Sequence, residues 1–195
     1  MKSDGDVRSI LLTGVGGQGI LRASDILCQV VMEAGLDVKK SEVHGMAQRG
    51  GCVTSHVRYG NKIYSPIARK GGVDILVSFE KLETLRYLDF LKPRSGVIIS
   101  ERKIYPPSVN LGSASYPDNI IEIVKKIFKI VKVVNANNMA IEAGDSRTEN
   151  TALLGVLSSY LRQFDISLWD KVIRRSFPKK AIEVNLKAFH MGRTA

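Results

Sequence analysis

Residues 8–35 read RSILLTGVGGQGILRASDILCQVVMEAG, and the fold turns on how this stretch is read. Arg8–Thr13 carries the apolar run Ile10–Leu12 and reads as a buried strand. The chain then passes through Gly14-Val15-Gly16-Gly17-Gln18-Gly19. From Ile20 the apolar period changes. Ile20, Ala23, Ile26, Leu27, Val30, Val31 and Ala34 share one helical face, and Gly35 follows as a C-terminal glycine. A strand that turns through glycines into a helix is the opening unit of an α/β sheet. Gly14, Gly16 and Gly19 fit GxGxxG in the context that a dinucleotide fingerprint requires. A helix N-terminus offers unpaired N–H groups and a positive dipole end. Gly14, Gly16, Gly17 and Gly19 are therefore candidate contacts for an anionic cofactor or a partner. A tight turn that binds nothing fits the same residues.

The second informative stretch is Ser41–His56, SEVHGMAQRGGCVTSH. It links a strand over Leu36–His44 to an alternating strand over Cys52–Tyr59. The linker places His44, Gln48 and Arg49 among Gly45, Gly50 and Gly51, a polar and basic combination that a packed core does not need. Loops on a rigid scaffold often carry function, so His44, Gln48, Arg49, Gly50 and Gly51 join the candidate set. No helix follows the second strand, which breaks the regular βαβαβ half of a dinucleotide fold. Glu42 has the spacing of a ribose-binding acid but stands just before the glycine loop.

Further on, Gly60-Asn61 signals a hairpin turn with a return strand over Lys62–Ser65. Val73–Ser78 and Val97–Ser100 read as buried strands and Ile130–Asn135 as another. Glu80–Leu91 reads as a helix stopped by Lys92-Pro93, with Leu82, Leu85, Leu88 and Leu91 inward. Residues 101–117 have no period and form an excursion. Asp118 is placed to cap a helix to about Phe128. From Asn137 the pattern is helical, with helices over Thr148–Leu161, from Ser167 with Asp170 in the capping-box position, and over Lys179–Met191. Strands alternating with helices define a three-layer α/β fold, Rossmann-like, with a mostly parallel sheet and a helical C-terminal part. Nothing marks a domain boundary, so residues 1–195 are read as one domain.

Composition excludes several classes. The 195 residues, 44% hydrophobic and 25% charged, describe a globular chain able to bury a core. No apolar run is long enough to span a bilayer, and the N-terminus lacks the pattern of a signal peptide, so the expected location is the cytoplasm. Cys28 and Cys52 cannot by themselves hold a four-cysteine cluster or a structural zinc site. The histidines, His44, His56 and His190, lack zinc spacing. No GxSxG, P-loop or HExxH is present. No catalytic or metal residue is assigned, and any chemistry must come largely from another chain. The net charge of +10 is spread out, with modest concentrations at Lys125–Lys132 and Arg174–Lys180, the first of which reads as the solvated face of a helix running into a strand. Without a nucleic-acid motif, an acidic protein partner or a phosphate-bearing ligand fits this charge.

Seven stretches, in order, carry a resemblance: Gly14–Leu21 (GVGGQGIL), Ser41–Gly51 (SEVHGMAQRGG), Tyr64–Pro66 (YSP), Asp74–Glu80 (DILVSFE), Leu85–Pro93 (LRYLDFLKP), Asn150–Leu157 (NTALLGVL) and Phe177–Phe189 (FPKKAIEVNLKAF). The chain resembles the gamma-type subunit or domain of the 2-oxoacid:ferredoxin oxidoreductases. HGMAQRGG is similar to the indolepyruvate branch, where pyruvate-type members tend to have a YGPEARGG-like loop. The resemblance implies a small subunit without cofactors. A large alpha partner would carry thiamine diphosphate and [4Fe-4S] clusters, decarboxylate an arylpyruvate, reduce ferredoxin and form an acyl-coenzyme A. It implies that Arg49 and the N–H groups near Gly50-Gly51 meet anionic groups of coenzyme A or of the partner. The isolated chain is expected to be inactive and able to self-associate through its partner-facing surface. The alternative is a free-standing NAD(P)- or flavin-binding Rossmann-like protein.

Overall fold

A computed structural model of the protein describes residues 7–45 and 51–195. The apolar segment after Val7 forms β1 (Arg8–Val15), and the glycine turn delivers the chain into α1 (Ile20–Glu33). β2 (Asp37–His44) and β3 (Cys52–Gly60) follow, then β4 (Val73–Ser78) and the short helix α2 (Lys81–Arg86). β5 (Leu91–Ser100), a four-residue helix α3 (Pro107–Asn110), α4 (Ile120–Ile127) and β6 (Ile130–Val134) complete the sheet half. The helical remainder is α5 (Ala136–Ala143), α6 (Glu149–Tyr160), α7 (Ile166–Ser176) and α8 (Lys179–Thr194).

The six strands run in the order β2-β3-β1-β4-β5-β6. β1 pairs in parallel with β4, β4 with β5, and β5 with β6. β3 lies antiparallel between β1 and β2. The crossover β1–α1–β2 thus leaves a gap one strand wide, and the chain fills it by turning straight back from β2. This is the structural form of the missing helix noted in the sequence.

Alternation along β1 divides the core. Ile10 and Leu12 face α1 and the C-terminal helices with Val57, Val77 and Ile98. Leu11 faces the other way, with Leu76, Val97, Ile99, Val124 and Phe128. Residues 150–158 of α6 are all buried, the mark of a helix covered on every side. α8 lies over α6, and the two backbones approach through Gly155 and Gly192. A methyl group on Gly155 would overlap the carbonyl oxygen of Phe189, and one on Gly192 that of Ala152. Trp169 of α7 stacks on Phe189 with ring centres 5.6 Å apart, so the C-terminal helices share one aromatic core. Among the described residues no helix is long and apolar enough to cross a membrane.

Several local expectations change. Lys62–Ser65 forms no strand; the Ile63 N–H donates to Asp37 Oδ2 at 2.7 Å, and that bond shapes the segment. The helix expected over Glu80–Leu91 ends at Arg86, a 3₁₀ turn covers Leu88–Phe90, and Leu91 already belongs to β5. Lys92-Pro93 therefore sits inside a strand, where the register shifts between the Val73–Leu91 and Ile75–Gly96 pairs. A proline is tolerated where the ladder is interrupted. Asn119, not Asp118, precedes α4, and Asp118 instead pairs with Lys103 at 3.4 Å. Asp165 caps α7 by accepting from the Ser167 N–H at 2.8 Å, while Asp170 pairs with His190 at 3.1 Å. Ala34 falls just outside α1 and is exposed.

His56 is buried in β3, edge-on to Phe90, and its Nδ1 accepts the Ala68 N–H at 3.4 Å. Burial, helped by the charge of Arg58, holds its pKa below the ordinary value. The unfolded chain therefore takes up this proton first as pH falls below about 6.5. Urea titrations at about pH 7 and about pH 5 should show stability lost on acidification, and His56→Gln should flatten that slope. Gly155→Ala should cost about 3 kcal/mol by overpacking the α6–α8 crossing, read as a lower urea midpoint.

Candidate functional site

The carboxyl ends of the parallel strands gather the glycine turn, the β2–β3 connection, the start of α2 and the segments after β5 and β6. This is the end of an open α/β sheet at which ligands bind. The turn is held by its own side chain. The Val15 N–H donates to Gln18 Oε1 at 2.7 Å, and Gln18 Nε2 donates to the Phe79 carbonyl at 2.7 Å. Gln18 thus joins the end of β1 to the end of β4. Gly14 is required by contact: an added Cβ would lie 2.7 Å from Gln18 Oε1 and 2.8 Å from Phe79 Cβ. Gly19 is required by conformation as well, with φ +75°, and a Cβ there would lie 2.6 Å from Asn150 Nδ2. Asn150 Nδ2 also donates to the Gly19 carbonyl at 3.3 Å, which ties α6 to the turn.

The two glycine segments singled out in the sequence meet. The Gly16 N–H donates to the Gly51 carbonyl at 2.9 Å, and the Gly45 N–H donates to the Cys52 carbonyl at 2.7 Å. Cys52 Sγ lies 3.1 Å from the Tyr87 hydroxyl. Gly51 therefore places an acceptor where a pyrophosphate bound in dinucleotide fashion would need the Gly16 donor. Glu42 is committed to Lys40, at 2.5 Å, away from a ribose role. Both contacts weigh against the dinucleotide alternative.

Beside the turn a cleft of about 250 Å³ is lined by Gly17, Gln18, Gly19, Arg102, Asn137, Ser146, Arg147 and Glu149. α1 begins beside this cleft, just after Gly19, without a side-chain cap, so the positive end of its dipole lies next to it. Arg102 Nη1 donates to Asn137 Oδ1 at 2.8 Å and stands 3.8 Å from Glu149 Oε2. Burial raises the Glu149 pKa, opposed by Arg102 and by the Ser100 hydroxyl, which donates at 3.1 Å. Arg147 forms a forked pair with Asp145 and holds that carboxyl down to about 2. Two guanidiniums and a helix N-terminus make this a place for a phosphate or carboxylate.

The wall of the site depends on Glu80, which is 1% exposed. Its Oε1 accepts from the Tyr116 hydroxyl at 2.6 Å and the Ile104 N–H at 3.1 Å, and its Oε2 accepts from the Glu83 N–H at 3.1 Å. One buried carboxylate thus caps α2 and pins both ends of the excursion after β5.

Of the residues expected from sequence, Gly14, Gly16, Gly17 and Gly19 form the turn, and Gly51 contacts Gly16. His44 closes β2 opposite Val53. Gln48, Arg49 and Gly50 lie outside the described residues. The sequence reading passed over Gln18, Arg102, Arg147, Glu149 and Asn150. Gln18 and Asn150 stand inside stretches that carry the family resemblance, and that was the signal to find them. Arg102 lies in an aperiodic excursion that gives none. The cysteines are far apart in role: Cys28 is on α1, its thiol pushed up to about 12 by burial, and Cys52 opens β3.

The fold is a three-layer α/β domain with a glycine turn at the carboxyl ends of its parallel strands. Residues 9–195 match the model of the pyruvate ferredoxin/flavodoxin oxidoreductase family, and the chain belongs to it. The indolepyruvate oxidoreductase subunit IorB of Archaeoglobus fulgidus is 42% identical over 187 residues, covering 94% of this chain and 92% of that protein. Pyruvate oxidoreductase subunit PORC of Thermotoga maritima superposes with a TM-score of 0.73 at 22% identity, covering 97% of this chain and 96% of that one. The 2-oxoglutarate:ferredoxin oxidoreductase of Magnetococcus marinus, solved with 2-oxoglutarate, coenzyme A and succinyl-CoA, gives 0.75 at 21% identity. This chain is 97% covered there and spans 31% of that longer chain.

Gln18→Glu is nearly isosteric but sets a carboxylate against the Phe79 carbonyl. It should cost about 2 kcal/mol through the lost donor and the new repulsion, with faster hydrogen exchange at the Val15 amide.

Proposed function

We propose that this chain is the small subunit of a complex that oxidatively decarboxylates arylpyruvates, with indolepyruvate as the leading substrate. The complex converts the 2-oxoacid and coenzyme A to an aryl-acetyl-coenzyme A and carbon dioxide, and two electrons pass to ferredoxin. The observation that carries this reading is the 42% identity, over nearly the full length, to a protein named as an indolepyruvate oxidoreductase subunit. Thiamine diphosphate and [4Fe-4S] clusters would reside on the large alpha subunit and supply the carbanion and electron-transfer chemistry. The donor set here agrees with that division. Two separated thiols cannot ligate a four-cysteine cluster.

What this chain's residues contribute is binding and orientation. The cleft beside Gly17–Gly19 has the size for a phosphate group of coenzyme A, not for the whole molecule, and offers it the Arg102 and Arg147 guanidiniums, each of which also faces a carboxylate. Arg102, positioned by Asn137, supplies a guanidinium whose direction is set before the ligand arrives. Glu149 shares the lining and holds Arg102 from the far side, with Ser100 fixing one of its oxygens. Arg49 and the Gly50-Gly51 amides belong to the same proposal, as contacts for coenzyme A or the alpha subunit.

Co-expression with the alpha subunit should yield a brown, thiamine-containing complex that reduces methyl viologen with indolepyruvate and coenzyme A. The small chain alone should be colourless and inactive. Arg102→Ala in the complex should raise the coenzyme A KM about tenfold, as expected for one charge-assisted contact, with the indolepyruvate KM unchanged. A colourless, stable, solitary chain that binds NAD(H) stoichiometrically would overturn the proposal.

A further inference from the structure

The sheet ends at β6, whose outer flank of backbone is left unpaired. Four lysines bracket it: Lys125 and Lys126 in the last turn of α4, Lys129 before the strand, and Lys132 within it. Lys125, Lys126 and Lys129 are exposed. Among the described residues none of the four forms an ion pair; Lys81, Arg94, Lys179 and Lys180 share this, but only here do four such lysines fall within eight residues along one edge, whereas Lys40, Lys92, Lys103, Arg102, Arg147 and Arg175 face carboxylates. Positive charge that is not offset by a neighbouring carboxylate is therefore gathered along this edge.

Lysines on an edge strand guard against strand-to-strand association, and that role accounts for charge alone. It does not account for the apolar surface set between them. Ile127 is 56% exposed and Ile130 47% exposed. Nor does it account for the cleft of about 490 Å³ on the adjoining face, lined by Lys132, Val156, Ser159, Tyr160 and Arg162. Lysine is depleted from the cores of permanent interfaces, while complementary charge steers short-lived encounters. The strip has no projecting aromatic pair for stacking bases and no helix shaped for a groove.

We propose that the β6 edge, from Lys125 to Lys132 with Ile127 and Ile130, is a docking surface for a small acidic soluble protein that binds transiently. Charge complementarity chooses the partner's sign, and the two isoleucines supply the short apolar centre of the contact. The inference rests on the proposed function only in the choice of probe, an acidic ferredoxin.

The test uses the assembled complex and its Lys125→Glu/Lys129→Glu/Lys132→Glu variant, with a milder triple glutamine variant beside it. Ferredoxin binding is measured calorimetrically at about 50 mM and about 300 mM salt, and turnover is measured with ferredoxin and with methyl viologen. Expected are weaker binding at the higher salt, a loss of tenfold or more on charge reversal, a smaller loss with glutamine, and an unchanged viologen rate. Unchanged ferredoxin affinity in the charge-reversed variant would overturn the inference. So would failure of that variant to assemble, which would make the edge a permanent subunit interface. Duplex DNA binding as tight as ferredoxin at the higher salt would overturn it in favour of a general polyanion surface. If ferredoxin binding is lost as expected but neither complex turns over indolepyruvate, the docking surface stands and the functional reading fails.

Discussion

The side-chain amide of Gln18 does what neither neighbouring strand can do alone. It accepts from the last turn-forming N–H of β1 and donates to the carbonyl just past β4. These are adjacent parallel strands whose backbone ladder ends with the Phe79 N–H donating to the Thr13 carbonyl at 2.8 Å, and Gln18 extends the link beyond it. A half-buried amide with both halves satisfied is held in one orientation. That rigidity sets the angle at which α1 departs, and α1 in turn carries one face of the core. Gly14 is bare because Gln18 and Phe79 already fill the space beside it.

The antiparallel β3 changes what the glycine turn can be used for. In a regular doubly wound half, the space beside the turn is open to a dinucleotide. Here the returning strand brings the Gly51 carbonyl to the Gly16 amide. The open cleft instead lies beside Gly17–Gly19, Arg102 and Arg147. A familiar motif is kept, and the geometry around it redirects its use. Glu80 serves the same arrangement, since two of its accepted hydrogen bonds hold the excursion that delivers Arg102 and the third caps α2.

The C-terminal helices solve a different problem. α6 is buried on all sides, so it needs a second helix to cover its outer face, and only glycines at the crossing allow α8 to come close enough. Asn150 connects this helical layer to the turn through the Gly19 carbonyl. The site is thereby braced from the sheet by Gln18 and from the helices by Asn150. The net charge is handled separately: Arg102 and Arg147 beside the cleft are paired with carboxylates, and the four lysines along β6 are not.

Local pattern alone was enough for the strand–glycine–helix opening, the strand β3, the buried β4 and the helical C-terminal part, while the family came from the resemblance of seven ordered stretches. These rest on period and on short motifs, which are properties of neighbouring residues. The same reading located the two glycine segments that the fold brings together. It did not contain the place of β3 between β1 and β2, because strand order is decided by which faces can be buried together. It misplaced the start of β5, because Leu91 keeps the helical period while its backbone pairs with Val73. The partners of Arg102, Glu80 and Gly155 were illegible for the same reason. Each depends on residues far away in the chain, and hydrogen bonding and close packing between them exist only once the layers have assembled.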